Sequence, residues 1–138
     1  MKRTGIVILF LIAAVIFTGC QNNAGGTDNT EPSIEATYTA NYPLGSGGTC
    51  TAKFFDNLTY TYTLTANGQS VIEAKGTFEK RSGDYSNGTL RITQTHKATN
   101  HELVETSHTT RDLTITNGTF HYDFVNNTTN QNYTYTKQ

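Results

Sequence analysis

The side chains best suited to contacting a ligand are aromatic and recur at alternate positions along the chain. Most of the eight tyrosines lie on apolar rows of this kind, as where Tyr60 and Tyr62 alternate with threonines. Their rings bury large apolar areas, and each buried hydroxyl needs a hydrogen-bond partner. The rings therefore either line a hollow that holds a small amphipathic ligand or simply fill the interior. The candidate ligand-binding residues are Tyr38, Tyr60, Tyr62, Phe78 and Tyr122.

Four histidines are the candidate metal ligands, but their spacing argues against a metal site. The intervals between them contain 4, 6 and 12 residues, which match no compact zinc pattern. One interpretation is a loose metal site near residues 96–108 that includes Glu102 and Glu105. The other, which we favour, is that these histidines are simply solvated. On strand periodicity, His96 continues the inward face of Leu90 and Ile92, whereas His121 points outward. The histidines are His96, His101, His108 and His121.

Cys50 is the only cysteine beyond residue 20, and its neighbours indicate a buried position. It alternates with Ala52 and Phe54, so we expect a small apolar core residue rather than a reactive thiol. No paired carboxylates or catalytic triad stand at a meaningful spacing. The sequence therefore predicts a protein that is not an enzyme and that needs no cofactor.

The first twenty residues have the pattern of an export signal. Lys2 and Arg3 precede an apolar run of 13 residues, Gly5 to Phe17. This run is too short to span a hydrocarbon core of about 30 Å as a helix, so a cleaved secretory signal is the better interpretation.

The end of this signal, Phe17-Thr18-Gly19-Cys20, resembles the lipobox of bacterial lipoproteins, and its loose form is similar to that of spirochaete lipoproteins. Phe17 departs from the leucine that is usual at its position. The resemblance implies cleavage after Gly19 and a diacylglycerol group on Cys20 that anchors the chain in a membrane. Because residue 21 is Gln rather than Asp, it also implies a cell-envelope location at the outer membrane or cell surface.

Composition and the lipobox resemblance together predict three parts of the chain. We expect a signal peptide in residues 1–19, a lipidated cysteine with a flexible polar tether in residues 20–33, and a folded β-barrel domain in residues 34–138. Beyond residue 19, eight Lys and Arg stand against eleven Asp and Glu. Without a basic stripe, a nucleic-acid partner is not expected.

From Ile34 onward, apolar and polar residues alternate with the period of a half-buried strand. Asn-Gly pairs at 67–68, 87–88 and 117–118 are typical of type I′ hairpin turns. Such a meander closes into a barrel or splits into a sandwich, and its sequential hairpins favour the barrel. The predicted inward rows include Leu58 to Leu64, Ile72 to Phe78 and Phe120 to Phe124. The expected fold is therefore all-β, an antiparallel up-and-down barrel of about eight strands.

Residues 54–95 have a pattern of strand and turn residues that includes Gly76-Thr77-Phe78 and Gly88-Thr89-Leu90-Arg91-Ile92. This pattern resembles that of small lipocalin-like bacterial lipoproteins. The Gly-x-Trp signature of full lipocalins is absent, since the chain has no Trp. The resemblance implies an eight-stranded barrel. We expect a monomeric, membrane-anchored binding module for a small amphipathic ligand or a protein partner. The alternative is a protease inhibitor, because the size, barrel and N-terminal trunk are similar to those of small bacterial metalloprotease inhibitors.

Overall fold

The computed structural model describes residues 30–42, 47–100 and 102–138, and it is all β in these segments. The predicted signal peptide, Cys20 and most of the predicted tether lie outside the described residues. No helix long and apolar enough to cross a bilayer occurs in the described segments. Within them the strands are β1 (Ile34–Asn41), β2 (Thr49–Phe55), β3 (Thr59–Ala66), β4 (Gln69–Gly83), β5 (Gly88–Thr99), β6 (Glu102–Ile115), β7 (Thr119–His121) and β8 (Thr134–Lys137).

The strands form one curled antiparallel sheet in the order β6-β5-β4-β3-β2-β1-β8-β7. All neighbours but one are consecutive in the chain. The exception is the β1–β8 pair, which joins the first strand of the meander to the last. The two ends of this order, β6 and β7, meet at the Asn117-Gly118 turn, where Thr116 and Thr119 form an isolated bridge. We call the boundary between β6 and β7 the seam. The predicted all-β, up-and-down topology is confirmed, and the curled sheet is consistent with a lipocalin-like barrel.

Alternation along the strands places one face in the core, as the sequence predicts. On β1, Ala36, Tyr38 and Ala40 are buried, and on β2 the buried residues are Cys50, Ala52 and Phe54. The threonines between them lie on the outer face, where β-branched side chains fit a pleated surface.

Two of the three predicted Asn-Gly turns have the expected backbone. Asn67 and Gly68 both have positive φ, as do Asn117 and Gly118. The third prediction is wrong, because the β4–β5 connection turns over residues 84–87 and Gly88 already pairs with Gly83. The side chain of Asp84 accounts for this turn, since its Oδ1 accepts hydrogen bonds from the amides of Ser86 and Asn87, at 2.6 and 2.9 Å.

Three predicted inward positions face outward instead. Leu58 is 50% exposed because it lies in the β2–β3 turn with φ of 61°. Ile72 is 42% exposed because the β3–β4 register shifts between Tyr62 and Thr63. Likewise, the β4–β5 register shifts so that His96 pairs with Lys75, and the prediction that His96 continues the inner face is wrong. In a β-bulge one extra residue exchanges the two faces of the strand beyond it.

The row from Phe120 to Phe124 is only partly a strand. β7 ends at His121, but Tyr122 and Phe124 remain buried. The backbone of this irregular segment is held by polar contacts: Gln94 donates from Nε2 to the carbonyl of Phe124 at 3.1 Å, and the buried Asp123 accepts from the amides of Val125 and Asn126. The segment therefore adds two aromatic rings to the core without adding a strand.

Candidate functional site

The structure brings the five candidate ligand-binding residues together in the core. Tyr38, Tyr60, Tyr62, Phe78 and Tyr122 are each between 0 and 4% exposed. Side chains that surround a large hollow would keep more of their surface open than this, although a packed ring can still border a cavity with its edge. The five rings therefore belong to a packed interior, which was one of the two alternatives that the sequence left open.

Two phenylalanines connect these rings. Phe54 lies with ring-centroid distances of 5.8 Å to Tyr38, 5.9 Å to Tyr60 and 5.1 Å to Phe78. These separations are typical of packed aromatic pairs. The space between these rings is consequently filled by Phe54.

Phe124 fills the other part of the cluster. It lies 5.7 Å from Tyr60, 5.1 Å from Tyr62 and 5.0 Å from Tyr122, measured between ring centroids. The sequence put Phe54 and Phe124 on inward rows but did not identify them as the centres of the cluster. For Phe124 no local pattern could do so, because it reaches the core from an irregular segment.

The buried tyrosine hydroxyls differ in their partners. Tyr62 donates to Sγ of Cys50 at 3.1 Å, Tyr38 donates to the carbonyl of Tyr85, and Tyr122 donates to the side-chain oxygen of Asn127. Within the described residues, the hydroxyls of Tyr60 and Tyr135 have no hydrogen-bond partner. Burial raises the pKa of all five phenols, so each stays neutral at ordinary pH.

Cys50 is a buried free thiol, and its predicted place in the core is confirmed. Burial raises the pKa of the thiol, and the hydrogen bond from Tyr62 only partly opposes this effect. A nucleophilic cysteine needs a lowered pKa and access to solvent. Cys50 has neither property, so the geometry gives it no chemical role.

The described histidines are dispersed over the surface. His108 Nε2 lies 3.6 Å from Glu105 Oε1, and His121 Nδ1 lies 3.1 Å from Thr134 Oγ1. His96 contacts Thr95, and His101 lies outside the described residues. In the described part of the chain, no group of three or more His, Cys, Asp or Glu side chains is arranged to hold a metal ion.

A cavity of about 360 Å³ opens at the end of the sheet where β1 leads to β2 and β3 turns into β4. We call it the mouth cavity. Strand β3 contributes side chains that continue the inner face of the core. The sides are closed by the residue that follows β1, by β4 and by the segment between β7 and β8. Its lining residues are Tyr42, Tyr62, Leu64, Glu73, Val125, Asn126 and Tyr133.

Two half-buried tyrosines lie at this cavity. The ring centroids of Tyr42 and Tyr133 are 6.5 Å apart, and the rings are inclined at 59°. Burial raises the pKa of Tyr133, and the nearby Asp123 and Tyr42 add to the effect. The mouth cavity thus presents two aromatic rings beside the aliphatic side chains of Leu64 and Val125.

Glu73 enters the cavity because of the bulge in β4. Tyr62 pairs with Ala74, but Thr63 pairs with Ile72, so Glu73 has no opposite residue on β3. A bulge commonly redirects a side chain in this way. Glu73 was not among the candidate residues, because strict alternation along β4 predicts that Ile72 faces the core and Glu73 faces solvent. Tyr42 and Tyr133 lay on predicted inward rows, but nothing singled them out from the other tyrosines.

Two further cavities have a different character. One of about 310 Å³ lies on the outer face of β3, β4 and β5, where half of the lining residues are threonines and the others are Tyr60, Lys75, Gly76 and His96. The other, of about 230 Å³, lies beside the seam and is lined by residues that include Asp112, His121 and Gln131. Neither combines several aromatic rings with aliphatic and polar groups, as the mouth cavity does.

Comparison of the chain with protein-family models, with curated proteins and with solved structures gives no significant match. The class that the fold defines is an eight-stranded antiparallel sheet curled in the manner of a lipocalin-like barrel. Any function must therefore be argued from the geometry of this chain.

Proposed function

We propose that this protein is a lipid-anchored, non-enzymatic binding module that holds a small amphipathic ligand in the mouth cavity rather than in the barrel interior. The observation that carries the proposal is the convergence of Tyr42, Tyr133, aliphatic side chains and two polar groups on one open cavity. Ligand sites in proteins are mostly apolar concavities with a few polar groups that fix orientation, and the mouths of β-barrels are frequent locations.

The packed interior supports this placement. Phe54 and Phe124 occupy the space between the five candidate rings, so a ligand there would have to displace buried aromatic side chains. The mouth cavity needs no such rearrangement. Its volume of about 360 Å³ lies near the lower end of the range for small-molecule sites, which favours a compact ligand.

The anchoring part of the proposal rests on the sequence. The junction Gly19-Cys20 after a short apolar run supports lipidation at Cys20 and a cell-envelope location, at the outer membrane or the cell surface. Two or more acyl chains hold a protein firmly, whereas one binds only reversibly. Cys20→Ala should abolish the anchor, and detergent phase partitioning measures it. A wild-type chain that stays in the aqueous phase with an uncut signal would contradict the proposal.

The ligand proposal is tested on protein purified from the membranes of its own host. Native mass spectrometry should detect a small molecule that co-purifies with the wild-type chain and is lost from Tyr133→Ala. Thr136→Ala, on the exposed face of β8, is the matched control and should retain the molecule. In a thermal-shift screen, a true ligand raises the melting temperature of the wild type by mass action.

Two outcomes would overturn the small-ligand proposal. One is the absence of both a co-purifying molecule and any thermal shift across lipids and small aromatic compounds. The other is equal retention of a ligand by Tyr133→Ala and the wild type, which would place the site elsewhere. Stoichiometric inhibition in a protease panel would favour the inhibitor alternative instead.

A further inference from the structure

The bulge in β4 produces an arrangement that is unfavourable for stability alone. It leaves Ile72 42% exposed on the outside and places the carboxylate of Glu73 at a cavity lined by tyrosine, leucine and valine side chains. An apolar side chain in water and a charge beside apolar groups both cost free energy. Departures of this kind from the favourable pattern are expected at functional or strained sites.

The charge of Glu73 is uncompensated within the described residues. It forms neither an ion pair nor a side-chain hydrogen bond there, whereas Glu35, Glu79, Glu105 and Asp112 each lie within ion-pair distance of a basic side chain. Among the described residues, the lining of the mouth cavity includes no Lys, Arg or His, and Glu73 is the one charged side chain there. Asp123 lies close enough to act electrostatically on Tyr133 and adds a second negative charge nearby. The cavity therefore disfavours anions and favours cations.

The aromatic side chains at the cavity favour the same sign of charge. The face of a tyrosine ring carries negative electrostatic potential and attracts ammonium groups, most strongly where water is partly excluded. Tyr42 and Tyr133, inclined to each other at 59°, place two such rings at one opening. Leu64 and Val125 offer aliphatic contact for methyl or methylene groups.

We propose that the mouth cavity binds a small organic ammonium ion, with Glu73 as its counter-ion and the rings of Tyr42 and Tyr133 against its alkyl groups. This inference rests on the proposed function and specifies its ligand class. It explains why the chain keeps a bulge that turns a glutamate, rather than an isoleucine, toward the cavity.

The test compares two probes that differ only in charge. Isothermal titration of the full chain in nonionic detergent uses choline and its neutral isostere, 3,3-dimethylbutan-1-ol, with detergent alone as the blank. Choline should bind, and the neutral isostere should bind at least about tenfold more weakly, because it lacks both the ion pair and the cation–π attraction. This comparison uses the wild type and so does not depend on how a variant folds.

Variants then assign the effect to residues. Glu73→Gln should weaken choline binding by at least about tenfold. Glu79→Gln, on the outer face of the same strand, is the matched control and should leave it unchanged. Tyr133→Leu should weaken binding, and Tyr133→Phe, which keeps the aromatic face, should retain it.

Each result bears on a different claim. Equal binding of choline and the isostere, or undiminished binding by Glu73→Gln, would overturn the cation inference while leaving a small-ligand function intact. No binding of choline at millimolar concentration would also overturn it. In that case the co-purification and thermal-shift experiments decide separately whether the mouth cavity holds a ligand of another class.

Discussion

The ring of Tyr60 lies against the backbone of Gly76, its cross-strand partner in β4, so closely that no other residue fits there. A methyl group on Gly76 would lie 2.9 Å from Cε1 of Tyr60 and 2.0 Å from the carbonyl oxygen of Thr93 on β5. The second contact is with backbone, which cannot rotate away. Because Gly76 has no side chain, the ring of Tyr60 and the backbone of β5 can both lie close to it.

Gly76→Ala is accordingly expected to destabilise the domain by about 3 kcal/mol, the upper part of the range for overpacked cores. The sign of the effect is informative, because Ala in place of Gly within a strand otherwise stabilises by roughly 0.5–1 kcal/mol. Urea unfolding followed by circular dichroism measures the change. Thr77→Ala, at the exposed next position, should stay within about 0.5 kcal/mol. A Gly76→Ala protein as stable as the wild type would refute the close packing.

The buried phenols offer a matched pair of hydroxyl deletions. Tyr122→Phe should cost about 1–3 kcal/mol, since it removes the donor to Asn127 and leaves that buried amide oxygen without a partner. Tyr60→Phe should be neutral or stabilising, because the Tyr60 hydroxyl has no partner among the described residues. Thermal and urea unfolding of both variants give the comparison. Equal losses would mean that the Tyr60 hydroxyl is hydrogen bonded in solution.

Period-two alternation predicted most of the inner face, since rows such as Ala36-Tyr38-Ala40 and Leu90-Ile92 are buried as expected. It failed beyond the bulges at Glu73 and Thr95, where one extra residue exchanges the inner and outer faces. Nothing in the amino-acid types at either position announces the insertion. A bulge is set by the pairing of neighbouring strands, which is information that a single strand does not contain.

The candidate site shows the same limit. All five residues chosen from the sequence are close together, because large inward-facing rings necessarily meet in a small core. Whether these five residues surround a hollow depends on Phe124, which reaches the core from an irregular segment rather than from a strand. The mouth cavity depends on the redirected Glu73 and on the approach of Tyr133 to Tyr42 across the end of the sheet. Both are tertiary relationships that local patterns do not report.

Cys50 should resist alkylation in the native protein. It is fully buried, and burial raises the pKa of its thiol, so the reactive thiolate is both scarce and inaccessible. Iodoacetamide at about pH 8 should modify Cys50 only after unfolding in denaturant. Peptide mapping by mass spectrometry reads this residue separately from Cys20. Rapid labelling without denaturant would show that the β2–β3 region opens readily.

The entry to β1 should become less stable in acid. Asp56 accepts from Ser33 Oγ at 2.6 Å and from the Ser33 amide at 3.1 Å, and the hydrogen bond from the hydroxyl is the largest cause of its lowered pKa. A carboxylate whose pKa is lower in the folded state stabilises the fold above its unfolded pKa. That contribution is lost as pH falls through the folded pKa.

Asp56→Asn removes this titration while keeping a side-chain oxygen acceptor. The stability difference between wild type and Asp56→Asn should therefore shrink between about pH 5 and pH 2. Urea unfolding at several pH values measures it. The comparison cancels other acidic groups with lowered pKa, such as Asp84 and Asp112, because both proteins contain them. A difference that stays constant with pH would contradict the role assigned to the Ser33–Asp56 contact.

The last prediction tests the inversion of faces at the β4 bulge, on which the position of Glu73 depends. Ile72 and Ile92 both belong to apolar rows in the sequence, but Ile72 is 42% exposed whereas Ile92 is fully buried. Threonine keeps the β-branch and so preserves strand propensity at both sites. Ile92→Thr should cost about 2 kcal/mol or more, because it removes buried methyl surface and introduces a hydroxyl into the core. Ile72→Thr should change stability by less than about 0.5 kcal/mol.

If Ile72→Thr proves as costly as Ile92→Thr in urea unfolding, then Ile72 points inward in solution. Glu73 would in that case point away from the mouth cavity, and its proposed role as a counter-ion would fall with it.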